Sequence, residues 1–311
     1  MKKYLFLFLF LWSVVVNGQE KKICITVDDL PTVTYRHGGL ENQQIITKGL
    51  LSALKQHDAP AIGFVNERKL HRKGKLDSAR YYLLKDWLDA GMELGNHTYS
   101  HPDYNRLTLA EYKAEIQKGE VHTRPLVESY GQSLVWFRHP FLHTGQTEAK
   151  NDSLDQVLEE LNYQTAFVTI DNEEYLFAYA YDSAMYVKDE PLMKKVADDY
   201  IFYMQEKLLF YENMSRKLFG RNIPHTLLLH ANRLNADYLD ELLQMHADHG
   251  YSFVSIEEAS SDVAYEHPIS WFGRAGISWL DRWALTEGKK GDFFSADPPS
   301  PAYIKALARI R

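Results

Sequence analysis

The sequence predicts an α/β fold built on a mainly parallel sheet, and three observations carry that expectation. Seven short β-rich runs recur between residues 22 and 255. Amphipathic stretches rich in Leu, Ala, Lys and Glu separate them, with apolar residues at three- and four-residue spacing, and strands separated in this way join as parallel βαβ units. The chain also has the means to bury one large core, with 311 residues of which 45% are hydrophobic and 13% aromatic. An α/β barrel and an open doubly wound sheet both meet these conditions.

The elements follow in order. Lys2 and Lys3 form a basic start, and residues 5–16 are apolar apart from Ser13. That run is about twelve residues, short of the roughly 20 that cross a bilayer. Val15, Val16, Asn17 and Gly18 then precede the polar Gln19-Glu20-Lys21-Lys22, the pattern of a signal peptide cleaved near Gly18. The expectation is a leader over 1–18 and one exported domain over 19–311, periplasmic or secreted, with no stable membrane span after cleavage. Retention of the leader as an anchor is the alternative. Strands are expected at 22–27, 61–66, 92–96, 134–138, 165–170, 226–230 and 252–255, and helices near 42–57, 77–90, 108–130, 147–162, 190–219 and 236–249. Cys24 is the single cysteine; it cannot form an internal disulfide and reads as core filler in the first strand.

Two segments exceed what this scheme needs. Residues 172–224 join two strands by a long route that holds an aromatic-rich stretch at 175–186, and about 176–224 reads as a helical insertion. An extension over 257–311 carries Trp271, Phe272, Trp279, Trp283, Phe293 and Phe294, expected to pack on the outside or to line part of a cleft. The net charge of −7 provides no basic excess to neutralise phosphates, which excludes a general nucleic-acid binder. Neutral, sugar-like substrates stay open.

The chemistry gathers at strand ends. The first strand runs Ile25-Thr26-Val27 into Asp28-Asp29-Leu30-Pro31, and adjacent carboxylates repel unless a proton or cation separates them. His97 and His101 stand four apart just past the third strand, a spacing that on a helical turn places two imidazoles on one cation. Spacing alone means little among thirteen histidines, and His139 and His143 share it. The position past a strand end is what singles out the first pair. Two His and one carboxylate with open positions form the ligand set of a hydrolytic zinc site. Arg138-His139-Pro140-Phe141, Asp171-Asn172-Glu173-Glu174 and His230 close the next three strands, so five of seven strands deliver ionisable residues at the end where barrels carry catalysis.

In this order the motifs resemble those of the polysaccharide deacetylases of NodB-homology type, carbohydrate esterase family 4, over roughly residues 22–256. Thr26-Val27-Asp28-Asp29-Leu30-Pro31 is similar to T-F-D-D-G-P, His97-Thr98-Tyr99-Ser100-His101 fits H-S/T-x-x-H, and Arg138-His139-Pro140-Phe141 fits R-x-P-F/Y. Asp171-Asn172-Glu173-Glu174-Tyr175 meets D-x-x-D-W loosely, and Thr226-Leu227-Leu228-Leu229-His230 meets L-x-L-x-H. The resemblance implies a distorted seven-stranded (β/α) barrel, NodB-like, around one divalent metal ion, commonly Zn2+, held by Asp29, His97 and His101. It implies Asp28 as general base fixed by Arg138, a main-chain N–H near Phe141 for the oxyanion, Leu228 against the acetyl methyl, and His230 as general acid. An acidic residue of the fourth motif orients His230; Glu174 aligns best, while Asp171 is nearer the strand end.

The implied activity is removal of acetyl groups, N-acetyl ahead of O-acetyl, from an acetylated oligo- or polysaccharide of the cell envelope or exterior. Oligomeric state and sugar identity are not set by the sequence. A metal hydrolase of another linear amide and a catalytically silent carbohydrate-binding protein stay open. Neighbouring residues of a strand point to opposite sides, so the choice of Asp29 over Asp28 as ligand comes from the resemblance. Leu30 stands where the family has glycine and is expected to narrow the substrate groove. Tyr175 in place of Trp alters one wall of the pocket, and the insertion is expected to close a groove into a pocket that favours chain ends or small substrates.

Overall fold

A computed structural model describes residues 20–308 and shows seven parallel strands: β1 (Lys21–Leu30), β2 (Ala61–Val65), β3 (Glu93–Asn96), β4 (Trp136–Phe137), β5 (Gln164–Thr165), β6 (His225–His230) and β7 (Tyr251–Phe253). They are ordered β5-β4-β3-β2-β1-β6, with β7 pairing the first residues of β1. Beyond β5 the chain runs on until Ile170 bridges Leu227 of β6, and the Leu228 amide donates to the Ile170 carbonyl at 3.2 Å. The sheet thereby curls into the distorted barrel that the sequence implied. The expected leader lies outside the described residues, and no helix among those described is long and apolar enough to cross a membrane.

β1 is the centre of the sheet because both of its faces are covered. Ile23, Ile25 and Val27 are fully buried, and Cys24, a free thiol, and Thr26 are buried on the opposite face. A strand buried on both sides reads as a continuous apolar run, which is how 23–27 reads. Around the sheet lie α1 (Leu40–Gln56), α2 (Ser78–Asp89), α3 (Leu109–Lys118), α4 (Thr123–Ser129), α5 (Glu148–Glu160), α6 (Glu174–Tyr186), α7 (Glu190–Phe219), α8 (Arg233–Asp248), α9 (Ile256–Ser260), α10 (Trp279–Thr286) and α11 (Ala302–Leu307). The apolar stripes of α1 (Ile46, Leu50, Leu54) and α8 (Leu234, Leu239, Leu242, Leu243) are buried; each such leucine contributes about 1.5–3 kcal/mol.

Three expectations are corrected. The single helix expected over 108–130 is two, because α3 ends at Gly119 and Glu67 accepts from the His122 and Thr123 amides at 2.7 and 2.6 Å to start α4. Residues 97–101 form a loop and not a helical turn. The Thr98 amide donates to Asn96 Oδ1 at 2.7 Å, the His101 amide donates to Thr98 Oγ1 at 3.1 Å, and Thr98 and His101 both take left-handed φ (65° and 60°). Leu30 does not narrow a groove. It is fully buried over Gly63 of β2, where a Cβ would fall 2.4 Å from Leu30 Cδ2, so the leucine fills space that the facing glycine leaves.

The segments outside the strand scheme join the core. The aromatic stretch becomes α6, which buries Phe177 and Tyr181 beside α7. In the extension, Trp279, Trp283 and Arg282 are buried, and Trp279 stacks on Phe167 at 4.8 Å. Register then aligns the strand ends: Asp28 pairs with His230, Val65 with Asn96, and Asn96 with Phe137. The residues that follow emerge at one level of the barrel.

Candidate active site

Adjacent carboxylates on a regular strand would diverge, and here they do not. Asp29 takes a φ of 72° where the β1–β2 register shifts between Val27 and Leu30. That break in the pleat lets both side chains reach one cluster. Asp28 is 3% exposed; its Oδ1 lies 3.6 Å from Arg138 Nε and its Oδ2 3.8 Å from His97 Nε2. Burial lifts Asp28 to about 6, with Arg138 and then His230 opposing. Burial pushes Asp29 up as well, but Lys69, His101 and His97 outweigh it and hold this carboxyl below the ordinary range. Arg138 is itself fully buried, over the Phe64 ring at 4.7 Å, and donates to Thr26 Oγ1 at 2.8 Å.

Asp29, His97 and His101 offer ligand atoms within 4.8 Å of one another, the one such cluster found among the described residues. His97 Nδ1 donates to the Arg138 carbonyl at 2.8 Å, which fixes the tautomer and leaves Nε2 facing the cluster. Burial pushes both histidines below the ordinary value, so each presents a lone pair at neutral pH. Asp29 Oδ1 is buried and, among the described residues, accepts no well-aligned hydrogen bond, with the Lys69 ammonium 3.3 Å away. Two neutral imidazoles and one buried carboxylate fit a divalent cation of the zinc type.

On the other side stands His230, whose Nδ1 donates to Glu174 Oε2 at 2.8 Å. Glu174 is fully buried in the first turn of α6, and its second oxygen accepts from Asn235 Nδ2 at 2.7 Å and from Asn232. Burial opposes protonation of His230, but the hydrogen bond and charge of Glu174, then Asp29 and Asp28, lift it to about 9. Asp171 is not the partner of His230. It takes the Asn172 amide at 2.8 Å and is lifted to about 6 by burial, with Lys207 opposing and Asp281 reinforcing.

A cavity of about 660 Å³ joins these groups. Asp28, His101, His230, Phe141 and Leu228 line one end, Tyr175, Tyr203 and Tyr211 contribute aromatic walls, and Gly276, Ile277 and Asp281 belong to the extension. Phe141 is 54% exposed, takes a φ of 58° and meets the His101 ring edge-on at 4.4 Å.

Residues 16–166, just under half of the chain, match the family model described as polysaccharide deacetylase. Over that segment the chain is similar to the polysaccharide deacetylase family. A relative from Bacillus cereus described as a peptidoglycan-N-acetylglucosamine deacetylase is 28% identical over 154 residues, 50% of this chain and 58% of that protein. An uncharacterised 30.6 kDa protein from Geobacillus stearothermophilus is 24% identical over 256 residues, 81% of this chain and 76% of its own length. Among solved structures, a peptidoglycan deacetylase from Bacillus subtilis is 20% identical with a TM-score of 0.48, over 80% of this chain and 95% of that one.

At this site the sequence missed several supporting groups. Lys69 Nζ donates to the Asp29 carbonyl at 2.8 Å and lies 3.3 Å from its Oδ1. No periodicity could mark Lys69, because it sits in a short 3-10 turn after β2. Asn232 and Asn235 were within reach: an Asn two residues past His230 and ahead of an apolar helical pattern is an N-cap signal, and Asn232 caps α8 by accepting from the Asn235 amide.

Proposed function

We propose that this chain is a metal-dependent hydrolase that removes acetyl groups, N-acetyl ahead of O-acetyl, from an acetylated carbohydrate outside the cytoplasm. The observation that supports it most is the placement of two differently tuned groups across one cavity. Asp28 is a carboxylate beside the Asp29-His97-His101 cluster, and His230 is an imidazolium backed by Glu174. The described activity of the Bacillus cereus relative and the leader expected over 1–18 support an envelope substrate.

Asp29, His97 and His101 would hold the cation, and Zn2+ there would supply Lewis acidity and lower the pKa of a bound water from 15.7 toward ~7. Asp28 accepts the proton that the attacking water gives up, with Arg138 keeping its carboxylate in place. The Phe141 main-chain N–H stabilises the oxyanion of the tetrahedral intermediate. His230 Nε2 delivers a proton to the leaving nitrogen, so that the C–N bond breaks to a neutral amine and acetate. Leu228 packs against the acetyl methyl.

The test is acetate release by zinc-loaded protein from chito-oligosaccharides, peptidoglycan and acetylxylan. Release from at least one, abolished by Asp28→Asn, is expected. Protein that holds stoichiometric metal and releases no acetate from any of the three would overturn the deacetylase reading and leave a hydrolase of another amide.

A further inference from the structure

Residues 274–282 lie beyond the segment that matches the family model, yet they grip the loop that carries Phe141. Gly276 abuts that loop so closely that a Cβ would fall 1.7 Å from the Phe141 carbonyl oxygen. From the other side Arg282, 1% exposed, donates from Nη2 to the Leu142 carbonyl at 2.7 Å and from Nη1 to Thr144 Oγ1 at 3.3 Å. Its guanidinium lies over the Trp279 ring at 5.1 Å, and the Trp279 amide donates to the Val168 carbonyl at 2.7 Å. The grip therefore rests on the barrel wall. Asn105 Nδ2 donates to the Arg274 carbonyl at 3.2 Å, and Asp103 accepts from His143 at 2.6 Å, which ties the same loop to the turn after His101.

What needs holding is an unfavourable backbone. Phe141 and Leu142 are consecutive non-glycine residues at φ 58° and 54°, a conformation that persists only where the surroundings over-determine it. We infer that Arg282 and Gly276 are positioning residues. They hold the Phe141–Leu142 turn in the left-handed form that sets the Phe141 ring against His101 and aims the main-chain N–H. The inference rests on the deacetylase reading for the role of that N–H and on the structure alone for the brace. A planar guanidinium can serve two acceptors at fixed angles while stacking on indole, which a lysine ammonium cannot.

The experiment compares wild type with Arg282→Met, Arg282→Lys and Gly276→Ala. Metal content, thermal melting, hydrogen exchange by mass spectrometry and the kcat and KM of acetate release are recorded for each. Arg282→Met and Gly276→Ala are expected to speed exchange in peptides covering 139–145 but not in β1 or β6. They should lower kcat by ~10- to 100-fold with KM within about 3-fold and metal content unchanged, and Arg282→Lys should recover part of the loss. Wild-type exchange and kcat in both variants would overturn the brace. So would exchange that rises through the whole sheet in Arg282→Met while Gly276→Ala stays silent, since that marks a general packing role. If wild type itself releases no acetate, the deacetylase reading fails and the exchange data still decide the brace.

Discussion

At the scale of single residues, the site works by giving like groups unlike surroundings. His97 belongs to the candidate cation cluster and His230 faces it across the cavity, yet burial pushes His97 below the ordinary value while Glu174 lifts His230 to about 9 against its own burial. In the proposed mechanism His230 acts in its acid form, so kcat/KM should fall as pH rises through about 9. Glu174→Gln removes the charge and keeps a hydrogen-bonding group of the same shape. Its alkaline limb should move down toward the ordinary histidine value of about 6.5, with metal content unchanged; a pH–rate profile identical to wild type would detach Glu174 from the acid. The stability sign agrees. A pKa raised on folding contributes stability that is present below about 6.5 and lost as pH rises through about 9, so the melting temperature of wild type should lose more over pH 7–9.5 than that of Glu174→Gln. His230→Ala should keep its metal and lower kcat by ~10² or more; loss of metal on this change would make His230 a ligand.

At the scale of elements, helices serve the site by pinning loops. Asp182 of α6, 3% exposed, accepts from the Tyr35 and Arg36 amides at 3.2 and 2.5 Å and pairs with His37 Nδ1 at 2.7 Å. One carboxylate thus fastens the loop that leaves β1 just after Asp28 and Asp29. Asp182→Ala removes the acceptor of three part-buried donors and should destabilise the fold by about 1–3 kcal/mol in urea melts, with KM rising more than kcat falls; unchanged KM would separate this loop from the substrate. Such ties also show which parts were legible in the sequence. The strands were, because each is a short apolar run and five of the seven end in an ionisable residue, as in Val27-Asp28 and Leu229-His230. The break between α3 and α4 was not, because its cause is Glu67, 55 residues from His122. Nor was the fate of Leu30, which depends on Gly63 across the sheet. Local pattern names the elements, and what bends or covers them comes from partners distant in the chain.

At the scale of the whole molecule, the site is shared between the two halves of the chain. The segment matched by the family model brings Asp28, Asp29, His97, His101 and Arg138, whereas Glu174, Leu228, His230 and the bracing extension come later. On the proposed function, cation binding and proton delivery would depend on different parts of one core and should be separable. A cation that binds only the folded chain stabilises it by RT ln(1 + [L]/Kd), about 2.7 kcal/mol at a hundredfold excess over Kd. For a domain of this size about 1 kcal/mol moves the melting temperature by about 1.5–2 °C, so zinc should raise it by about 4–5 °C. His101→Ala removes one of three ligands and should abolish that rise. His230→Ala should keep the rise in full, because His230 is held by Glu174 and lies outside the ligand cluster. An undiminished zinc-induced rise in His101→Ala would break the proposed ligand set whatever the rate of acetate release, since melting reads binding without reading turnover.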